Sequence, residues 1–281
     1  MGLKELRGLM LRKLDEKAFL GFRVWDFSFR SLPHCYSRAF FKEVVCRHPL
    51  RTVSGLLAYR RLVHSARGRG DITYLFSGSE EGFQHRAAEG EGKFLVAVGF
   101  CQKPVRGAGH GDECPAGRFN HRCLYLAQLD LSQSGGWSVP SVCQNCEIKV
   151  IGTRALQAGA DMHIMTSALD IAHDIFVPAL ERGRFKTAIF CVCPYSVQPI
   201  ALPLLICGIE GFVARFNSGY CADYSQWLLA DRGIKDERTL LSPQAHSKIL
   251  DFLDGVAALR AKLGKPPRHR FQLEGNIYVP V

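Results

Sequence analysis

The sequence predicts an α/β fold: a mainly parallel open sheet flanked by helices, with a helical N-terminal extension and a Cys-rich loop segment. Three observations carry this. Residues 94–100 form an unbroken apolar run, as expected of a strand covered on both faces. From Cys146 onward, short apolar runs alternate with helical windows, the rhythm of strand–helix–strand units. Between the two lies residues 101–146, which hold five of the eleven cysteines in a stretch rich in Gly, Pro, Asn, Arg and Ser.

Taken in order, Leu3, Leu6, Leu9, Met10, Leu14 and Phe19 fall at helical spacing and predict a helix over 3–20. Residues 22–29 alternate aromatic and polar side chains, which suits a short strand or ordered arm, and Pro33 ends it. Helices follow over 36–45 and 52–66, then a strand over 72–76. Ser77-Gly-Ser-Glu-Glu-Gly82 marks a loop or a helix start. After the cysteine segment the pattern predicts helix 146–158, strand 162–165, helix 167–182 and strand 187–192. A helix with Pro199 and Pro203 near its start comes next, then strand 211–216 and helices 221–231 and 243–263. Residues 1–70 read as a basic helical segment and 71–281 as the α/β domain. No repeat or low-complexity linker divides the chain.

The net charge is +10 and the pI about 9.2, with basic residues concentrated over 3–22 and 47–69. Solvated helix faces account for this, and docking to an acidic protein, an anionic lipid surface or nucleic acid is the sharper alternative. No run of eighteen apolar residues exists, and the amino terminus lacks the apolar centre of a secretion signal. A cytoplasmic location follows as the expectation. There, eleven cysteines imply free thiols for metals or chemistry and not a disulfide framework.

Cys143 and Cys146 form a C-x2-C pair, which brings two thiolates to one centre from a tight turn, and Cys114 and Cys123 can supply two more. Cys101, at the end of the 94–100 run, is a substitute for any of these. Four thiolates suit either structural zinc or a 4Fe-4S cluster, and three leave one iron open. Iron is favoured, because the segment joins a strand end to a helix inside a continuous sheet and builds no separate finger. In an open parallel sheet the strand ends share one crevice. That rim collects Cys101, Thr166, Ser167, Cys191, Cys193, Asn217 and Ser218.

Phe100-Cys101-Gln102-Lys103-Pro104, then Glu113-Cys114-Pro115-Ala116, then Cys143-x2-Cys146-Glu147-Ile148 leading into a helix distantly resembles a poorly characterised family of cysteine-rich α/β proteins, a domain of unknown function. The likeness runs over 94–216 and implies an iron-sulfur cluster without implying a reaction. A long Gly-rich insertion before Cys114 and a final group of only two cysteines depart from the family pattern.

Among the other cysteines, Cys193 lies two after Cys191, so a regular strand turns both to one face. Cys221 sits where a loop enters a helix, a setting that lowers a thiol pKa. Cys193, Cys221 and His121 are therefore the catalytic candidates. Cys35, Cys46 and Cys207 read as packing or incidental, and His163 and His173 as satisfied core residues. Arg106, Arg118 and Arg122 lie among the predicted ligands and suit a small anionic substrate. Ser167 has capping-box spacing to Asp170. The phosphate-binding loop, the Gly-x-Gly-x2-Gly run, the C-x3-C-x2-C triplet of radical enzymes and the tandem ferredoxin run are all absent.

The function expected from these residues is an iron-sulfur protein. It would act as an enzyme whose open iron serves as a Lewis acid, in the manner of a lyase, hydrolase or reductase. The alternative is a zinc- or cluster-stabilised binding module for an acidic partner or nucleic acid.

Overall fold

The structure is a computed structural model that describes residues 41–63, 70–90, 93–105, 113–133, 139–231, 234–235 and 237–281. The helix expected over 3–20, the arm over 22–29, Cys35 and Arg106 lie outside the described residues. Eight strands form one mixed sheet: β1 (Ile72–Tyr74), β2 (Phe94–Gly99), β3 (Asp161–Met165), β4 (Thr187–Val192), β5 (Glu210–Ser218), β6 (Leu240–Leu241), β7 (Phe271–Glu274) and β8 (Ile277–Pro280). Their order is β1-β5-β4-β2-β3-β8-β7, with β6 paired to β5. The centre, β5-β4-β2-β3, is parallel, and the flanking strands run antiparallel.

The α-helices of five or more residues are α1 (Pro49–Val63), α2 (Glu80–Glu89), α3 (Leu124–Gln128), α4 (Glu147–Gln157), α5, α6 (Val197–Cys207), α7 (Tyr224–Asp231) and α8 (Pro243–Lys262). Helix α5 runs from Ala168–Ile171 through a widened π turn, Ala172–Phe176, into Val177–Arg182. Alternation along β2 feeds both layers. Phe94, Val96 and Val98 face the core shared with α2, α4 and α8, whereas Leu95 and Ala97 face that shared with α1, α5 and α6. Each of the four larger ones, once fully covered, contributes about 1.5–3 kcal/mol relative to exposure.

Two parts of the sequence expectation, the place of Pro203 and the final hairpin, need revision. Pro203 lies inside α6 and not near its start, because the helix is buried on nearly every side and packing outweighs the lost hydrogen bond. Helix α1, from the expected N-terminal segment, packs directly against α6 and places Tyr59 in the core. The hairpin β7–β8, which turns at Gly275, carries no strong alternation and was not expected; it closes the β3 edge.

Connectivity sets the position of the functional rim. The path from β2 to β3 passes over one face through α4, whereas those from β3 to β4 and from β4 to β5 pass over the other through α5 and α6. Neighbouring strands β2 and β4 therefore send their chains to opposite faces, and a crevice opens beyond their carboxyl ends. No helix among the described residues is long and apolar enough to cross a membrane.

Candidate functional site

The crevice is lined by thiols. Cys101 sits in the turn Phe100–Gln102 directly after β2, Cys193 follows β4 by one residue, and Cys221 follows β5 by three. All three are buried, and with Cys191 they line an apolar cavity of about 110 Å³ that also includes Thr166 and Trp227. The predicted common face of Cys191 and Cys193 holds, since both belong to the same core. Asn217 and Ser218 are exposed and do not reach the cavity.

Cys193 stands between Cys101 and Cys221 within hydrogen-bonding reach of both. Its hydrogen bond, followed by the positive charge of Lys235, lowers the thiol pKa of Cys101 and of Cys221 against the opposing effect of burial. The same hydrogen bonds raise that of Cys193, which keeps its proton. Lys235 Nζ lies 3.7 Å from Cys221 Sγ and donates to Thr239 Oγ1 at 2.9 Å. Gly99 gives the Cys101 thiol room to fold back, since a Cβ there would stand 3.0 Å from Cys101 Sγ.

A second group surrounds Lys103, whose side chain is almost completely buried. Its Nζ donates to Gly117 O, Asn120 O, Asn120 Oδ1 and Arg122 O at 2.7–3.0 Å, drawing the cysteine loop around one ammonium. Desolvation lowers the Lys103 pKa to about 8, while Cys114, Cys123 and Cys146 oppose the fall. Burial raises the pKa of Cys123 to about 12 and raises those of Cys143 and Cys146, and charge on neighbouring cysteines of the group adds to the rise in all three. These four thiols are electrostatic neighbours. Yet among the described residues no three cysteine sulfurs lie within 4.8 Å of one another. A tetrahedral zinc with Zn–S bonds near 2.3 Å needs sulfurs about 3.8 Å apart.

The remaining candidates are distributed as follows. Arg118 is buried and donates to Lys235 O and, at 2.6 Å, to Glu237 O, so it braces the segment that carries Lys235. Arg122 is exposed. Arg238 ties the two thiol groups together by bonding Gln102 O at 3.2 Å and Asn145 O at 2.7 Å. His121 Nδ1 lies 2.7 Å from Ile164 O. Cys207 is packed in α6, Cys46 and His173 are exposed, and the Ser167–Asp170 capping box is formed. Sequence reasoning missed Lys103, although it stands in the run Phe100–Pro104 between Cys101 and the loop, and it missed Lys235, for which no local signal exists. Comparison with family models, curated proteins and solved structures finds no match for the chain.

Proposed function

We propose that the chain is an iron-sulfur protein in which Cys114, Cys123, Cys143 and Cys146 hold the cluster, beside a thiol-lined chamber that receives a small substrate. The observation that carries this reading is the buried ammonium of Lys103, which feels the charge of Cys114, Cys123 and Cys146, with Cys143 a neighbour of Cys114 and Cys146. Four thiolates on iron leave a net negative charge in a poorly solvated place, and a buried cation offsets it.

A cluster held by only three of these cysteines would leave one iron without a protein ligand, and that iron would supply a Lewis acid. The protein's own groups do the rest. The apolar walls exclude water, and Lys235 offers positive charge for an anionic portion of the substrate. Cys221 or Cys101 offers a sulfur drawn toward the thiolate by the hydrogen bond from Cys193. Cys193 holds a proton at Sγ that can be lent to either neighbour.

Anaerobic purification followed by iron, sulfide and zinc analysis tests the proposal. A brown protein with stoichiometric iron and sulfide is expected. A colourless protein with one zinc per chain would overturn the cluster and favour a zinc-stabilised binding module.

A further inference from the structure

We infer that His121, His163 and Asp170 form a second metal site, for a single divalent first-row ion bound by nitrogen and oxygen. One ligand-capable atom from each of the three lies within 4.8 Å of the others. They come from separate elements: His121 from the cysteine loop, His163 from the middle of β3, and Asp170 from the first turn of α5.

His163 is the decisive residue. It is completely buried, and its Nδ1 has no hydrogen-bond partner. Its other ring nitrogen, Nε2, lies 3.2 Å from Asp174 Oδ2, which also accepts from Asn276 Nδ2 at 2.9 Å. A carboxylate on Nε2 fixes the proton there and leaves Nδ1 as a bare lone pair, the state an ion requires. A buried imidazole lone pair with nothing to accept is costly unless something positive fills the space.

His121 repeats the arrangement. Its Nδ1 donates to Ile164 O at 2.7 Å, which orients the ring and leaves Nε2 as the acceptor, 3.4 Å from Thr166 Oγ1. The two rings stand 5.3 Å apart between centroids. Asp170 supplies the charge. Its Oδ2 accepts from Thr166 N at 2.7 Å and stands 3.7 Å from His121 Nδ1. Two imidazoles and one carboxylate suit zinc, manganese or ferrous iron and leave coordination positions open. Thr166 touches both His121 and Asp170 and also lines the thiol cavity, so those positions lie beside the same chamber. Asp174 acts through His163 as a positioning residue.

The site is independent of the cluster, and the test separates them. Chelator-treated full-length protein is titrated with Mn2+, which favours oxygen and nitrogen over thiolate, and free Mn2+ is followed by its EPR signal. One ion per chain is expected, with affinity unchanged in Cys143→Ser. His121→Ala should weaken binding at least about tenfold, and Asp174→Asn, which keeps the side-chain shape, about tenfold to a hundredfold. Absence of binding by the unaltered chain, or unchanged affinity in both variants, would overturn the inference. Should His121→Ala lose its near-UV dichroism, Asp174→Asn alone decides, since its affinity either falls or stays.

Discussion

The two thiol groups at the carboxyl rim use the same residue type to opposite ends. At the crevice, Cys101 and Cys221 are drawn toward the thiolate by a shared hydrogen bond and a lysine. In the loop, Cys123, Cys143 and Cys146 are held toward the thiol by burial and by one another. The first group is prepared to react as it stands. The second would become anionic only if a metal replaced its protons. The difference arises from placement, because strand ends fix the first group within the sheet and a loop wrapped on Lys103 gathers the second.

The strongest challenge to this contrast is to remove sulfur from each group in turn. Cys143→Ser with Cys146→Ser should lose most bound iron, while Cys101→Ser and Cys221→Ser should keep it; iron analysis of anaerobic preparations decides. Equal losses in both would merge the groups into one site. Next in size is Lys103→Met, which leaves three carbonyls and the Asn120 amide oxygen without their charged donor. Destabilisation of about 3 kcal/mol is expected in urea unfolding, and a loss under about 1 kcal/mol would show that the ammonium does not organise the loop.

A smaller effect sharpens the crevice side. Cys193→Ala removes the shared donor, so the pH midpoint for alkylation of Cys101 and Cys221 by iodoacetamide should move upward. An unmoved midpoint would assign the lowered pKa values to Lys235 alone. The smallest effect on the thiols is a control at the opposite end of β3. Burial raises the Asp161 pKa to about 6 against the pull of Arg184, and its Oδ1 has no partner. The folded state therefore holds that proton more tightly than the unfolded chain. Stability from this group is complete below pH 4 and disappears as pH rises through about 6. Asp161→Asn should flatten that decline, on the order of 3 kcal/mol. The alkylation midpoints should stay in place.

How far the sequence disclosed this molecule follows the same division. The run 94–100, the strand over 187–192 and the alternation after Cys146 carry their periods openly, so the parallel core and the rim thiols Cys101 and Cys193 were readable. Gathering around Lys103 was not, because a lysine ordinarily signals surface and only tertiary contacts bury this one. Arg118 misleads for the same reason: a basic residue among cysteines suggests an anion, whereas its guanidinium is committed to two backbone carbonyls. His163 read as an ordinary core residue, since its carboxylate partner stands eleven positions away on another element.

The π turn at Ala172–Phe176 gives the molecule an unusual sensitivity to the loss of a single codon. Such a turn accommodates one more residue than an α-helical turn, and Asp174 lies within it. Excising Ala172 would let the helix relax to regular pitch and swing neighbouring side chains by about 100°. A one-residue deletion there would thereby turn the Asp174 carboxylate away from the His163 imidazole, a genetic route to stripping the inferred ion of its outer support.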